Sequence, residues 1–445
     1  MYKFPFQKTI PLTLEEAKKA ERNTICSACC TSMGDVPFVD AAIIILYANM
    51  LGANDMFSMV TTSLSPMAIG LFSLLATMFT GKQNYQKTIL QVTAISLIMF
   101  GMIVLSPFFG TWSVAVLLIS LSLFSVIHTL YIAAWFPLLS TILYPERRSS
   151  YFGRMRFTWQ SCSSIFLFVV SLVIGKNPPI GYLQIVMLIS MIIFAFKLYF
   201  IAAVPTFEQR TENVAKFSFR EGVAKAMANK PLTGFSAYSF ILNLAAYGTI
   251  PLVALYMKKG LNAPENVIVL ISSISLAGML AGSFCSGKII TRFGVRPVLL
   301  SVHITYAVTN LILFFLGKGS MSDNLLYTVI GIALFAYSFM YACSDIASSC
   351  EMMTLATPGN KVVAMGFFNG FNYSGRGMSR LLSSLILGSG ALAANWKLGG
   401  LNISHYQTLF LLYAICIVFA AALLIVVPAI FPKGEYHYSV PTTAK

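Results

Sequence analysis

Residues 205–231, PTFEQRTENVAKFSFREGVAKAMANKP, interrupt an otherwise oily chain with five basic and three acidic side chains and end on a proline. Such a stretch is too charged to lie in hydrocarbon and suits a linker, partly helical, at the membrane surface. What it separates decides the fold. Before it, apolar runs of about the length a helix needs to cross a bilayer occupy 25–49, 56–79, 87–108, 112–142, 157–175 and 181–204. After it they occupy 232–256, 265–290, 297–316, 324–348, 362–388 and 407–431. The linker thus divides twelve spans six and six.

Composition agrees. The chain has 445 residues, of which 57% are hydrophobic and 10% charged, against about 25% charged in soluble domains. A membrane barrel would show alternating segments of roughly ten residues instead. The expectation is an all-α membrane protein, with twelve transmembrane helices in two pseudo-symmetric six-helix bundles. The first bundle takes 24–204 and the second 232–431, with tails at 1–23 and 432–445. The first 23 residues are polar and lack an apolar leader core, so they read as a cytoplasmic tail.

The net charge of +15 is distributed as membrane topology requires, which argues against a nucleic-acid partner. Of the 30 lysines and arginines, 22 fall in the two tails, the linker and alternate loops. Five fall in the opposite loops, and Lys197, Arg376 and Arg380 lie within spans. Basic residues stay on the cytoplasmic side, so both termini are expected there, in a multi-pass protein of the inner membrane. The eight cysteines lie mostly in spans, and Cys26-x-x-Cys29 has no second pair at zinc spacing. No metal site, cofactor or disulfide is expected. No phosphate-binding loop or nucleophile elbow occurs in a plausible setting, so neither an enzyme nor an ATP-driven pump is expected.

The halves repeat faintly. Aligning the loops after spans four and ten on Pro145 and Pro358 sets Arg148 over Lys361 and Gly153 over Gly366. The loop after span eight, GKIITRFGVRPVLL, carries Gly287, Arg292, Gly294 and Arg296; Arg296 aligns with Lys87 after span two. Here the chain resembles the major facilitator superfamily along nearly its whole length. Those four residues match the family's G-x-x-x-D-R-x-G-R-R loop, with Thr291 where the aspartate belongs. PERRSSYFGRMR, with Arg147 and Arg148, is similar to its P-x-x-R-[GS]-x-x-F-G loop. The run MANKPLTGFSAYSFILN resembles the glycoside–cation symporter branch, without that branch's paired aspartates in span two. The resemblance implies two bundles about one cavity, alternating access and coupling to an ion or second solute. It implies that spans 2, 5, 8 and 11 frame the interface, and that the basic loops form a cytoplasmic gate.

Ionisable residues inside spans must be compensated locally and are functional candidates by default. The chain offers Asp35 and Asp40 in span one, His128 in span four, Lys197, Asp345 late in span ten, and Arg376 and Arg380 in span eleven. At 1.5 Å per residue from the span entries, Asp35 lies about 15 Å deep and Arg376 about 20 Å, with Asp40 and Arg380 slightly deeper. The arginines therefore have Asp35 and Asp40 as possible partners at similar depth. Lys197 is read as reaching for the interface, and Asp345 as a partner at the cytoplasmic gate. Asp35, Asp40 and His128 are candidates for proton coupling, and Pro37 between the acids breaks helix hydrogen bonds. Asn369, Tyr373, Arg376 and Arg380 share one helix face by their 4, 3 and 4 spacing. With Asn372, Gln160, Trp135 and Asn243 they form a candidate substrate site of amides, arginines and rings, fit for a sugar, sugar acid or other organic anion.

The function expected is secondary active transport of a small polar organic solute by alternating access and proton symport, with the solute and a coupling ion, proton or sodium, as partners and the protein acting as a monomer in the lipid bilayer. Drug or metabolite efflux, or a non-transporting sensor, are the alternatives. A reporter fused after Lys445 and one inserted in 205–231 are both expected to read cytoplasmic; a signal from the far side for either overturns the topology.

Overall fold

The computed structural model describes residues 7–8, 12–39, 41–80, 84–143, 148–207, 219–319, 321–355, 361–398 and 401–426. The first half holds α1 (Leu14–Val39), α2 (Ala41–Met50), α3 (Asp55–Thr80), α4 (Tyr85–Leu105), α5 (Ser113–Ile142), α6 (Arg148–Ile174) and α7 (Ile180–Ala202). The linker contributes α8 (Phe219–Ala228). The second half holds α9 (Lys230–Ala246), α10 (Thr249–Leu255), α11 (Glu265–Phe293), α12 (Val295–Phe315), α13 (Asp323–Leu355), α14 (Lys361–Ser389) and α15 (His405–Val426). A hairpin, Asn395–Leu398 with Leu401–Ser404, precedes α15.

Each expected span coincides with a helix or a helix pair. Among the described residues nine segments are long and apolar enough to cross a bilayer, ten with the bent pair α1–α2 counted as one span. One of the nine, Tyr85–Trp135, runs through the turn Ser106–Trp112 and so contains α4 and the start of α5. The chain is an all-α, multi-pass membrane protein. α1 differs from expectation at its start: the second half of the supposed tail and span one form a single helix from Leu14. Glu21 and Asn23 are accordingly buried; Arg154 pairs with Glu21 at 3.0 Å and Asn23 Nδ2 donates to Ala203 O at 3.0 Å.

Local chemistry sets the boundaries. Asn84 caps α4 by accepting from Lys87 N–H, and Asn229 caps α9 by accepting from Leu232 N–H ahead of Pro231. Gly294, at φ +82°, makes the sharp turn from α11 to α12 that a side chain would strain. The first span of each half is broken. α1 gives way to α2 with a 44° bend after Pro37, and α9 gives way to α10 at Tyr247–Gly248, with Pro251 in the new first turn. Discontinuous helices at matching positions of two repeats point to a binding site, since their loose backbone groups face a cavity.

Two seams join the halves. Along the first, α3 packs on α14 so closely that a Cβ on Gly70 would meet Ser374 N at 2.5 Å and one on Gly377 would meet Met67. Along the second, α6 meets α11, where Ser164 Oγ donates to Ser273 O at 3.3 Å and Ser273 Oγ to Ser164 O at 2.9 Å. These are spans 2 with 11 and 5 with 8. Small residues allow backbones this close, which is how helices hold together in lipid. On the side away from the linker, α2 and α10 pack on each other with Ala42–Ala48 and Thr249 and Pro251–Leu255 all buried. Lys259 there pairs with Asp55, which also accepts from Tyr406 Oη. Towards the linker side, a pocket beside α6 and α11 is lined by Arg154, Arg156, Phe157 and Phe284.

The same closeness ties α11 to α13, since a Cβ on Gly282 would sit 2.2 Å from Phe339 O. Gly282→Leu is expected to cost at least the roughly 1–3 kcal/mol of overpacking, read as a lower melting temperature in detergent. Gly101→Ala, with its nearest neighbour 3.9 Å away, should leave melting near the parent's.

Candidate functional site

The second half builds a charged cluster at its broken span. Arg376 projects from α14 and is 5% exposed. Its Nη2 donates to Asp345 Oδ1 of α13 at 2.6 Å, and its Nε to Asn372 Oδ1 at 3.0 Å and Asn243 Oδ1 at 3.3 Å. Asn243 Nδ2 donates in turn to Asn372 Oδ1 at 2.8 Å and to Ser239 O at 2.7 Å, which fixes both amides. The guanidinium lies 4.8 Å from the Tyr373 ring centre, 5.1 Å from Tyr247 and 5.3 Å from Tyr341, close enough for all three rings to stabilise the cation. A small cavity opens beside it, lined by Tyr306, Tyr341, Ser344, Asp345 and Ser348. A third of the Asp345 side chain is exposed, so this acid faces the open space while the arginine is closed in behind it. Arg380, one turn on, donates from Nη1 to Thr62 O of α3 at 2.5 Å and lies 4.5 Å from the Tyr247 ring.

A second cluster lies in the first half. Asp35 sits on α1, five residues before the break, with Oδ2 3.5 Å from His128 Nε2 of α5 and, among the described residues, no hydrogen-bond partner for Oδ1. Lys197 of α7 is 1% exposed, and its Nζ lies 3.2 Å from the Tyr131 ring centre, without a hydrogen-bond partner among the described residues. Its charge interacts with Asp35. His128 stacks on Phe124 at 5.6 Å, and Gln160 Oε1 and Trp159 Nε1 are also buried without partners. Buried polar groups are ordinarily satisfied by protein or water. So many left open in one region mark a wet or ligand-binding interior.

The sequence expectations are met unevenly. Asn243, Asn372, Tyr373, Arg376 and Arg380 come together; Asn369 is half-buried on the same helix, two turns nearer the linker side. Arg376 does not pair with Asp35. Its partner is Asp345, expected at the gate, because α13 and not α1 packs beside that face of α14. Asp40 lies outside the described residues. Lys197 does not reach the interface: α7 turns it inward, where Asp35 offers an opposite charge. Trp135 is core packing, buried with its ring 5.6 Å from Tyr131. Gln160 remains a buried amide on α6. Of the loop residues, Gly287 and Arg292 end α11 and Gly294 makes the turn. Arg296 Nη2 reaches Ile425 O at 3.4 Å, and Thr291, in the aspartate's place, bonds only back to Gly287 O. Arg147 lies outside the described residues; Arg148 begins α6, and its side chain lies outside them. Lys197 as part of a site, and Arg156, whose charge is felt by Asp345, were missed. A charge 5 residues from the end of a span reads as interfacial unless the neighbouring helices are known.

Breaking a buried pair leaves an uncompensated charge, whereas removing both partners can be nearly neutral. Arg376→Ala is expected to destabilise by about 3 kcal/mol, the lower end for buried pairs since Asp345 is partly open. Adding Asp345→Ala should restore most of the loss. Thermal melting of the single and double variants checks this; an additive double variant would mean the two side chains do not act as a pair.

No protein-family model matches the chain, and no curated protein matches it in sequence. Solved structures do match. The nucleoside transporter NupG superposes with a TM-score of 0.65 at 14% identity, covering 95% of this chain and 100% of that one. A D-xylose-proton symporter gives 0.68 at 11% identity, covering 91% and 96%. A POT family transporter in complex with 5-aminolevulinic acid gives 0.66 at 14%, covering 92% and 96%. At such identities the likeness concerns architecture, and it extends over almost the entire chain: the fold is that of the major facilitator transporters.

Proposed function

We propose that the chain is a secondary active transporter of a small polar organic solute, working by alternating access and coupled to protons. One observation carries this reading. Each half buries charged and amide side chains beside the break in its first span, and several of their polar atoms have no partner. A protein that only had to be stable would gain by replacing such groups with packed apolar ones. The solute site is the amide–arginine–tyrosine cluster of α9, α13 and α14, where amides read hydroxyl groups and rings stack on a flat ligand. The packed α2–α10 pair suits a state closed on the side away from the linker.

Within this reading the halves are the bundles 24–204 and 232–431, with linker 205–231 and both termini on the cytoplasmic face of the inner membrane. Asp35 is the proton carrier. One of its oxygens lacks a partner and the other has only the 3.5 Å approach of His128, so a proton can be accepted without dismantling a bonded network.

A stabilisation screen over sugars, sugar acids, amino acids and nucleosides would supply a solute for proteoliposome assays. Asp35→Asn should then abolish proton-driven accumulation while leaving solute exchange intact. Accumulation undiminished in that variant would move coupling to another group, His128 being next to it.

A further inference from the structure

The two arginines of α14 are answered differently. Arg376 has a carboxylate at 2.6 Å and two amide oxygens. Arg380 is equally buried, 5% exposed, yet among the described residues no carboxylate lies within ion-pair distance of it. Its one hydrogen bond goes to Thr62 O, a carbonyl left free in α3 because Pro66, four residues on, has no N–H to give. Its planar face lies on Tyr247. Among the described residues its Nε has no hydrogen-bond partner. A carbonyl and a ring solvate a cation without neutralising it, and a guanidinium does not shed its proton. Among the described residues, the seam between α3 and α14 therefore holds a permanent positive charge without a counter-charge and with a donor left over, one turn beyond the Arg376 cluster.

Resting on the transport reading, we infer that Arg380 is the anion receptor of the site and that the transported solute carries a single carboxylate. The carboxylate would take the open Nε–H and bring this stretch of the interior to neutrality, while Arg376 and Asp345 remain a closed pair holding Asn243 and Asn372 towards the solute's hydroxyls. One free guanidinium matches one negative charge. A phosphate monoester would bring a second charge for which no unpaired cation is present in this cluster. The arrangement also reassigns the expected anion ligand, since Arg376, the more prominent candidate by sequence, already has its counter-charge.

The test uses the purified full-length protein. Thermal stability is followed against sodium acetate, lactate and gluconate, with glucose and glucitol as neutral counterparts and glucose 6-phosphate as the doubly charged one. Carboxylates should stabilise and the neutral compounds should not. Arg380→Gln should weaken carboxylate binding on the order of tenfold to a hundredfold, as for loss of a charged hydrogen bond. Arg380→Lys, which keeps the charge and is the fallback if the glutamine variant does not fold, should bind at an intermediate level. The inference is overturned if no carboxylate stabilises, if neutral compounds do so equally, if glucose 6-phosphate outbinds gluconate, or if either variant binds like the parent. It is equally overturned if Asp40→Ala rescues the stability lost in Arg380→Ala, which would make Asp40 the missing counter-charge. Proteoliposome flux separates the two readings: uptake of a neutral solute unaffected by Arg380→Gln keeps transport and removes the receptor, whereas carboxylate binding without flux does the reverse.

Discussion

A guanidinium inside a bilayer has to be answered by other groups of the protein, and the ion pair between Arg376 and Asp345 is the constraint on which the second half is arranged. Satisfying it requires α13 beside α14, two asparagines to occupy Nε, and three tyrosines around the remaining faces. The asparagine oxygens are thereby committed to the arginine. The tyrosines bring bulk that the adjoining helices must accommodate, and the break in the seventh span relieves that crowding: Tyr247 sits at its edge and Gly248 N donates to Ser379 Oγ. The polar cluster and the discontinuous helix are one feature seen from two elements.

The first half solves a similar problem less completely. Asp35, His128 and Lys197 come from three helices and interact at longer range, with rings filling the gaps. Loose partners leave a group free to change its protonation or its neighbour, while the tight pair in the other half holds geometry. Division of labour between a rigid and a labile cluster suits a protein that must bind one thing and exchange another.

The sequence makes the architecture readable because lipid leaves so few options. Length and apolarity are enough to find the helices, the charged stretch 205–231 suggests a division into halves, and the seams of spans 2 with 11 and 5 with 8 follow from the family resemblance. Half of the site was also legible: the 4, 3 and 4 spacing of Asn369, Tyr373, Arg376 and Arg380 puts them on one face whatever surrounds it. Their partners were not. Depth along a span is a single coordinate, and Asp35 and Asp345 can both stand near the level of Arg376. Which of them faces it depends on helix neighbours, which one-dimensional counting does not contain. Lys197 was misread for the same reason, since snorkelling and burial differ by a rotation of α7. The start of α1 was misplaced because its first two turns are charged, and burial of Glu21 against Arg154 is a tertiary event.

The contacts on the side away from the linker carry a consequence for the resting balance of the molecule. Lys259 with Asp55, and Tyr406 with the same carboxylate, are partly exposed, and exposed pairs of this kind are worth about 0–1 kcal/mol each. On the alternating-access reading proposed above, the apolar faces of α2 and α10, by contrast, would have to be wetted whenever that side opens. Water's reluctance to enter, more than any bolt of charge, then sets how seldom the opposite state is visited. Salt should hardly shift that balance, whereas a single polar atom introduced between α2 and α10 would tilt it, because it would offer the incoming water something to hold.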